Sequence, residues 1–145
     1  MAKKDIMRLD RKKGLYLKNT GAKGRGVFCL DNIAAGETLE VTPAIVLNET
    51  ATRHVDKTIL LNYSFTTGKI SKRLRQRADL KNPHDGSSVV MGIASFCNHA
   101  EHPNAEVLWQ ERGGTVYYVL SATRRIPRNT EICTGYGDSW FGDRD

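Results

Sequence analysis

No stretch of this 145-residue chain approaches the ~18 consecutive apolar residues of a membrane-spanning helix, which excludes that means of crossing a membrane. Cysteine is scarce. Cys29, Cys97 and Cys133 are odd in number and far apart, so they suit buried thiols better than a disulfide framework or a closed zinc site. The basic N-terminus lacks the apolar segment of a secretory leader, so an intracellular, non-secreted location is expected, with cytoplasm and nucleus equally open. Aromatic residues are 8% of the chain and do not interleave with its basic runs, which argues against a stacking platform for single-stranded nucleic acid.

What is present is 39% apolar residues, enough for one hydrophobic core, and a net charge of +6 that is unevenly distributed. Residues 1–25 carry nine Lys/Arg against two Asp, and residues 69–81 carry six against one. The stretches 26–68 and 82–145 are each −3. The basic runs read either as solvated faces or as contacts to a phosphate backbone or an acidic partner.

Short strands with turn punctuation dominate. Gly14–Lys18, Gly24–Leu30, Thr38–Leu47, Val107–Trp109 and Thr115–Ala122 read as strands, the last two joined across Gly113-Gly114. Two turns echo each other, Ile33-Ala-Ala-Gly-Glu37 and Ile126-Pro-Arg-Asn-Thr130, with Gly36 and Asn129 at the position that demands a left-handed residue. The polar segment from about 49 to 82 has helical possibilities at Ala51–Leu61 and Ile70–Leu80 and reads as a variable insert. The pattern is mostly β with minor helix. Residues 1–14 read as a basic extension and 15–145 as one domain.

Three strings carry chemistry: Lys23-Gly24-Arg25-Gly26-Val27-Phe28, then Phe96-Cys-Asn98-His99 with Pro103-Asn104-Ala105, then Glu131-Ile-Cys-Thr-Gly-Tyr136-Gly. Taken singly, each has a plain alternative. Gly24 and Gly26 would serve a turn, Asn98 would cap a short turn of its own while His99 packs, and Tyr136 would anchor a core. Cys97, His99 and His102 are close together, but too few ligands accompany them for a metal site. In this order and over nearly the whole chain, the strings resemble the SET-domain protein lysine methyltransferases.

That resemblance implies a fold of small curled β-sheets with a threaded, pseudoknot-like C-terminal strand, a topology periodicity alone does not give. It implies S-adenosyl-L-methionine as cofactor, held by Lys23, Gly24, Arg25, Gly26, Asn98, His99 and Phe141. It implies Tyr136 as the catalytic residue, and Tyr63, Thr134 and Trp140 along a substrate lysine channel. Ser95 and Ala100-Glu101 depart from the family's usual Arg and Ser-Cys. The short chain, without the cysteine-rich flanks of many eukaryotic members, is most similar to the minimal bacterial and viral members, and a homodimer is expected. The expected partner is a protein with a basic, extended, lysine-containing segment, of the kind found in histones and other nucleic-acid-associated proteins, with nucleic-acid contact through the basic runs and no membrane. A non-catalytic SET-fold module binding nucleic acid or protein is the alternative.

Overall fold

The computed structural model describes residues 7–66, 71–80 and 87–135. The first strand, β1 (Asp10–Arg11), lies within the basic N-terminal stretch and pairs antiparallel with β4 (Thr38–Leu47). β4 organises the larger sheet. Its first half pairs with β8 (Thr115–Ala122), and its second half pairs on the opposite edge with β6 (Ser87–Val90). Pro43 marks the change of partner: it has no N–H to donate, and its carbonyl accepts from Met91 N–H at 3.1 Å. β5 (Ser64–Thr66) and β7 (Ala105–Arg112) complete the sheet, in the order β5-β6-β4-β8-β7. The smaller sheet is β2 (Leu15–Asn19), β3 (Arg25–Cys29) and β9 (Glu131–Ile132), with β3 central.

The strands expected from sequence form, with β4 and β8 at the expected limits. β7 and β8 run closer together than expected and leave a two-residue turn. Gly113 and Gly114 both take positive φ, 58° and 80°, the geometry that joins twisted strands most tightly. The two echoing turns pair with each other: Ile33 and Ile126 exchange backbone hydrogen bonds of 2.8 and 2.9 Å. Gly36 (φ 82°) donates to the last carbonyl of β8 and Asn129 (φ 59°) to that of β3.

The segment read as a variable insert gives α1 (Glu49–Val55), a 3-10 turn at Ile59–Tyr63, β5 and α2 (Lys72–Arg77). Asn48 caps α1 by accepting from Ala51 N–H, and Ser71 caps α2 by accepting from Leu74 N–H. α2 is shorter than the pattern suggested because Asp79 turns left-handed (φ 55°) and Leu80 N–H bonds back to Arg75 C=O. β5 then joins the sheet as its edge.

Two clusters form the core. One lies between the sheets, around Val27, Leu39, Leu120, Ile126 and Ile132. The other lies under α2, where Leu74 and Leu80 cover Val90, Val116 and Tyr118. All three cysteines are buried free thiols, as their spacing suggested. No helix among the described residues is long and apolar enough to cross a membrane.

Candidate active site

The segment from Glu131 to Gly135 is clasped on both sides by the loop 98–105. Thr134 N–H donates to Asn98 C=O at 3.0 Å, and Ala100 N–H donates to Thr134 C=O at 2.9 Å. On the other side, Asn104 and Ala105 N–H both donate to Cys133 C=O at 3.1 Å. The Asn104 carboxamide substitutes for a strand partner: its Nδ2 donates to Glu131 C=O and its Oδ1 accepts from Cys133 N–H, each at 2.9 Å. Pro103 packs against Gly135, where an added Cβ would stand 3.1 Å from its ring. These bonds tie a late segment of the chain to a loop formed earlier.

Asn98 joins all three sequence strings. Its Nδ2 donates to the Glu131 carboxylate at 2.7 Å and to the Arg25 carbonyl at 3.2 Å. A carbonyl and a carboxylate both accept, so the amide nitrogen must face inward and Oδ1 is directed elsewhere. Gly26 lies beneath this pair. A Cβ there would collide with Glu131 Oε2 and come to 3.0 Å from Asn98 Nδ2. The glycine therefore serves close approach, whereas Gly24 supplies a turn at φ 75° with open space around it.

Arg25 turns outward and lays its guanidinium 4.5 Å from the centroid of the Phe96 ring. Phe96 in turn meets Tyr63, with ring centroids 5.7 Å apart and planes tilted by 58°. Tyr63, expected on the substrate side, and Arg25, expected on the cofactor side, thus share one aromatic neighbour. Sequence reading missed Phe96 as a site residue, although it stands two positions before Asn98. It likewise gave no role to the Asn104 side chain, whose signal was a carboxamide able to donate and accept at once.

Burial pushes the Cys133 thiol up, as does the Glu131 carboxylate, while the Lys23 ammonium is near enough to oppose them. Desolvation lowers the His99 imidazole pKa although the residue reaches solvent. The parallel pairing of His99 with Thr134 directs the His99 N–H and C=O away from Thr134. Thr134 is only 1% exposed, and its Oγ1 has no hydrogen-bond partner among the described residues. It stands as a buried hydroxyl two residues before Tyr136. Tyr136, Trp140 and Phe141 lie outside the described residues. No cluster of three or more His, Cys, Asp or Glu suited to a metal occurs among the described residues.

Comparison with known proteins places this geometry. The SET domain family model matches residues 24–137, a span that contains the second and third strings whole and the first from Gly24 onward. The chain is 30% identical over 131 residues to a Schizosaccharomyces pombe histone-lysine N-methyltransferase specific for H3 lysine 37, covering 89% of this chain and 78% of that protein. Its fold is shared with a Plasmodium falciparum candidate histone methyltransferase at a TM-score of 0.62 and 23% identity, over 90% of this chain and 98% of the other. The Neurospora histone lysine methyltransferase DIM-5 has the same fold at a TM-score of 0.65 and 21% identity, over 88% of this chain and 54% of that longer one. On the family match, the homology and the clasped terminal segment together, the chain belongs to the SET-domain family, with homology to histone lysine methyltransferases.

Proposed function

We propose that this protein transfers a methyl group from S-adenosylmethionine to the ε-amine of a lysine in an extended basic segment of a protein substrate, a histone or a histone-like protein. The observation that carries this reading is the hydrogen-bonded node of Arg25, Asn98 and Glu131, which draws the three strings to one place just before Tyr136. The node suits a zwitterionic amino-acid end. Asn98 Oδ1 and the Glu131 carboxylate are acceptors for an ammonium, and Lys23 and Arg25 are cations for a carboxylate. The bare Gly26 keeps the cradle open, and the buried Thr134 hydroxyl offers one more polar contact.

S-adenosylmethionine, when bound, supplies a methyl already activated on a sulfonium. The residues of the chain have to bring a neutral amine into line with it, since alignment supplies most of the acceleration. A free lysine amine has a pKa of about 10.4 and must lose its proton first. A dry channel favours the neutral form, and so do nearby cations. Tyr63 and Trp140 are assigned to the walls of that channel, and the Tyr136 hydroxyl to orienting the amine. Tyrosine, with an ordinary pKa near 10, is a poor base at neutral pH, so orientation comes first.

The test is labelled cofactor with mixed basic proteins. Label should appear on lysine with the native chain and disappear with Tyr136→Phe, which should still bind cofactor in calorimetry. Asn98→Ala should weaken cofactor binding by about 1–3 kcal/mol, the cost of stranding a buried polar partner. A folded native chain that labels no lysine in any basic protein would favour the non-catalytic module.

The same reading includes a homodimer acting inside the cell. The outer face of the larger sheet leaves Ile45, Met91 and Leu108 about half exposed, with Val41, Pro43, Val89, Tyr117 and Val119 only partly covered between them. Along β7 the outward residues run Glu106, Leu108, Gln110, Arg112. Opposite charges thus flank an apolar centre, a pattern complementary to a second copy of itself about a two-fold axis.

A further inference from the structure

The two basic runs of the sequence do not fare alike in the fold. In the N-terminal run, Arg11 pairs with Glu40 at 2.7 Å and Lys12 with Glu37 at 2.6 Å, so part of that charge is neutralised internally. The run at α2 has no such relief. Lys72, Arg73 and Arg77 are exposed, and Arg73 and Arg77 make no hydrogen bond or ion pair among the described residues. The nearest carboxylate in the sequence of the opposing strand, Glu111, is already engaged by the Ser71 N–H at 3.0 Å and by the Ser71 hydroxyl.

The fold also concentrates these charges. Leu74 is anchored in the core, which fixes how the helix is turned. Arg73 and Arg77, four residues apart, then share one face of the helix and lie over the β7–β8 turn. A Cβ on Gly114 would stand 2.5 Å from Arg77 Nη1 and 4.0 Å from Arg73 Nε, so both guanidiniums lean on a bare backbone turn. Arg75 separates from them. It is half-buried, and its Nε is buried with no partner among the described residues. Like charges held side by side repel, and a polyanion laid across them removes that cost.

We propose that the α2 face and the β7–β8 turn form a docking surface for the phosphate backbone of duplex nucleic acid, with Lys72, Arg73 and Arg77 as the contacts. Guanidiniums present planar donor pairs that match phosphate oxygens, and a duplex supplies about one charge per 1.7 Å of its length. No aromatic residue accompanies the cations on α2, so the surface holds backbone and does not stack on unpaired bases. The surface needs nothing from the methyl-transfer site, and it stands or falls separately from it.

The experiment is fluorescence anisotropy of a labelled 20-base-pair DNA with the full chain between 50 and 200 mM NaCl. Three phosphate contacts correspond to a log–log slope of about −2.7, an affinity loss on the order of 40-fold over that range. The triple variant Lys72→Ala, Arg73→Ala, Arg77→Ala should flatten the slope by about three units, while Lys12→Ala should leave it in place. Should the triple variant fail to fold, Arg73→Lys with Arg77→Lys decides: it should keep the slope and lose affinity several-fold. Binding insensitive to salt, or a slope unchanged in the triple variant, would overturn the proposal. Polyglutamate competing as well as DNA at equal charge would also overturn it, in favour of an acidic protein partner.

Discussion

Gly26 shows how one missing methyl group sets the site. Its neighbours on the side-chain face are Glu131 and Asn98, and both are committed to a hydrogen bond with each other. Alanine there must displace a carboxylate that Asn98 holds in place, so Gly26→Ala is expected to cost about 1–3 kcal/mol of stability, as overpacking does. Urea unfolding measures it. Cofactor affinity should fall in the same variant, because the displaced carboxylate carries Asn98 with it. Were Gly26→Ala as stable and as tightly binding as the native chain, the node would not be the organising feature described here. Tyr136 is expected to behave oppositely, losing turnover while keeping affinity.

At the scale of elements, the turn 34–37 shows how a strand end is held. Glu37 accepts from the Lys12 ammonium and from Ala34 N–H, which together hold its carboxyl below the ordinary carboxylate pKa. The same hydrogen bond raises Lys12. A depressed carboxylate stabilises the fold fully above its unfolded pKa of about 4.3, and the contribution fades as pH falls through the folded value. The raised lysine acts in reverse, contributing fully below about pH 10.4 and losing its share only as pH rises further. Both groups are partly exposed, so the effect is modest. Glu37→Gln should therefore lower the melting temperature slightly at neutral pH, and the two proteins should converge as pH falls through the depressed folded value of Glu37. A gap that persisted in acid would assign the effect to packing. Salt should narrow the neutral gap.

For the whole molecule, the larger sheet buries one face under α2 and leaves the other partly open, and that asymmetry bears on assembly. Covering an exposed apolar side chain contributes about 1.5–3 kcal/mol, so a second copy on the face of Ile45, Met91 and Leu108 would gain appreciably. Light scattering at micromolar concentration should show twice the 16.2 kDa mass of the chain. Leu108→Glu should return it to the monomer without unfolding it. A strictly monomeric species that still methylates lysine would remove the dimer and leave the remainder of the functional reading intact.

The sequence by itself determined the five longer strands, because their apolar alternation and bounding turns are local, while β1, β5, β6 and β9 are too short to carry such a signal. β4, β8 and the paired left-handed turns at Gly36 and Asn129 follow from residue type within a few positions. It also determined family, because Asn98-His99 and Glu131 to Tyr136 are too particular for packing to produce. Tertiary structure decided what no short window contains. Asn98 meets Arg25 across 73 residues and Glu131 across 33, and neither partner is legible from spacing. The clasp around Cys133 and Thr134 depends on Asn104 standing in for a strand, and β5 joins the sheet only because β6 offers an edge. The two basic runs looked equivalent as composition. Folding placed carboxylates beside Arg11 and Lys12 and left Arg73 and Arg77 side by side over Gly114, because charge neutralisation is settled by which groups meet in space.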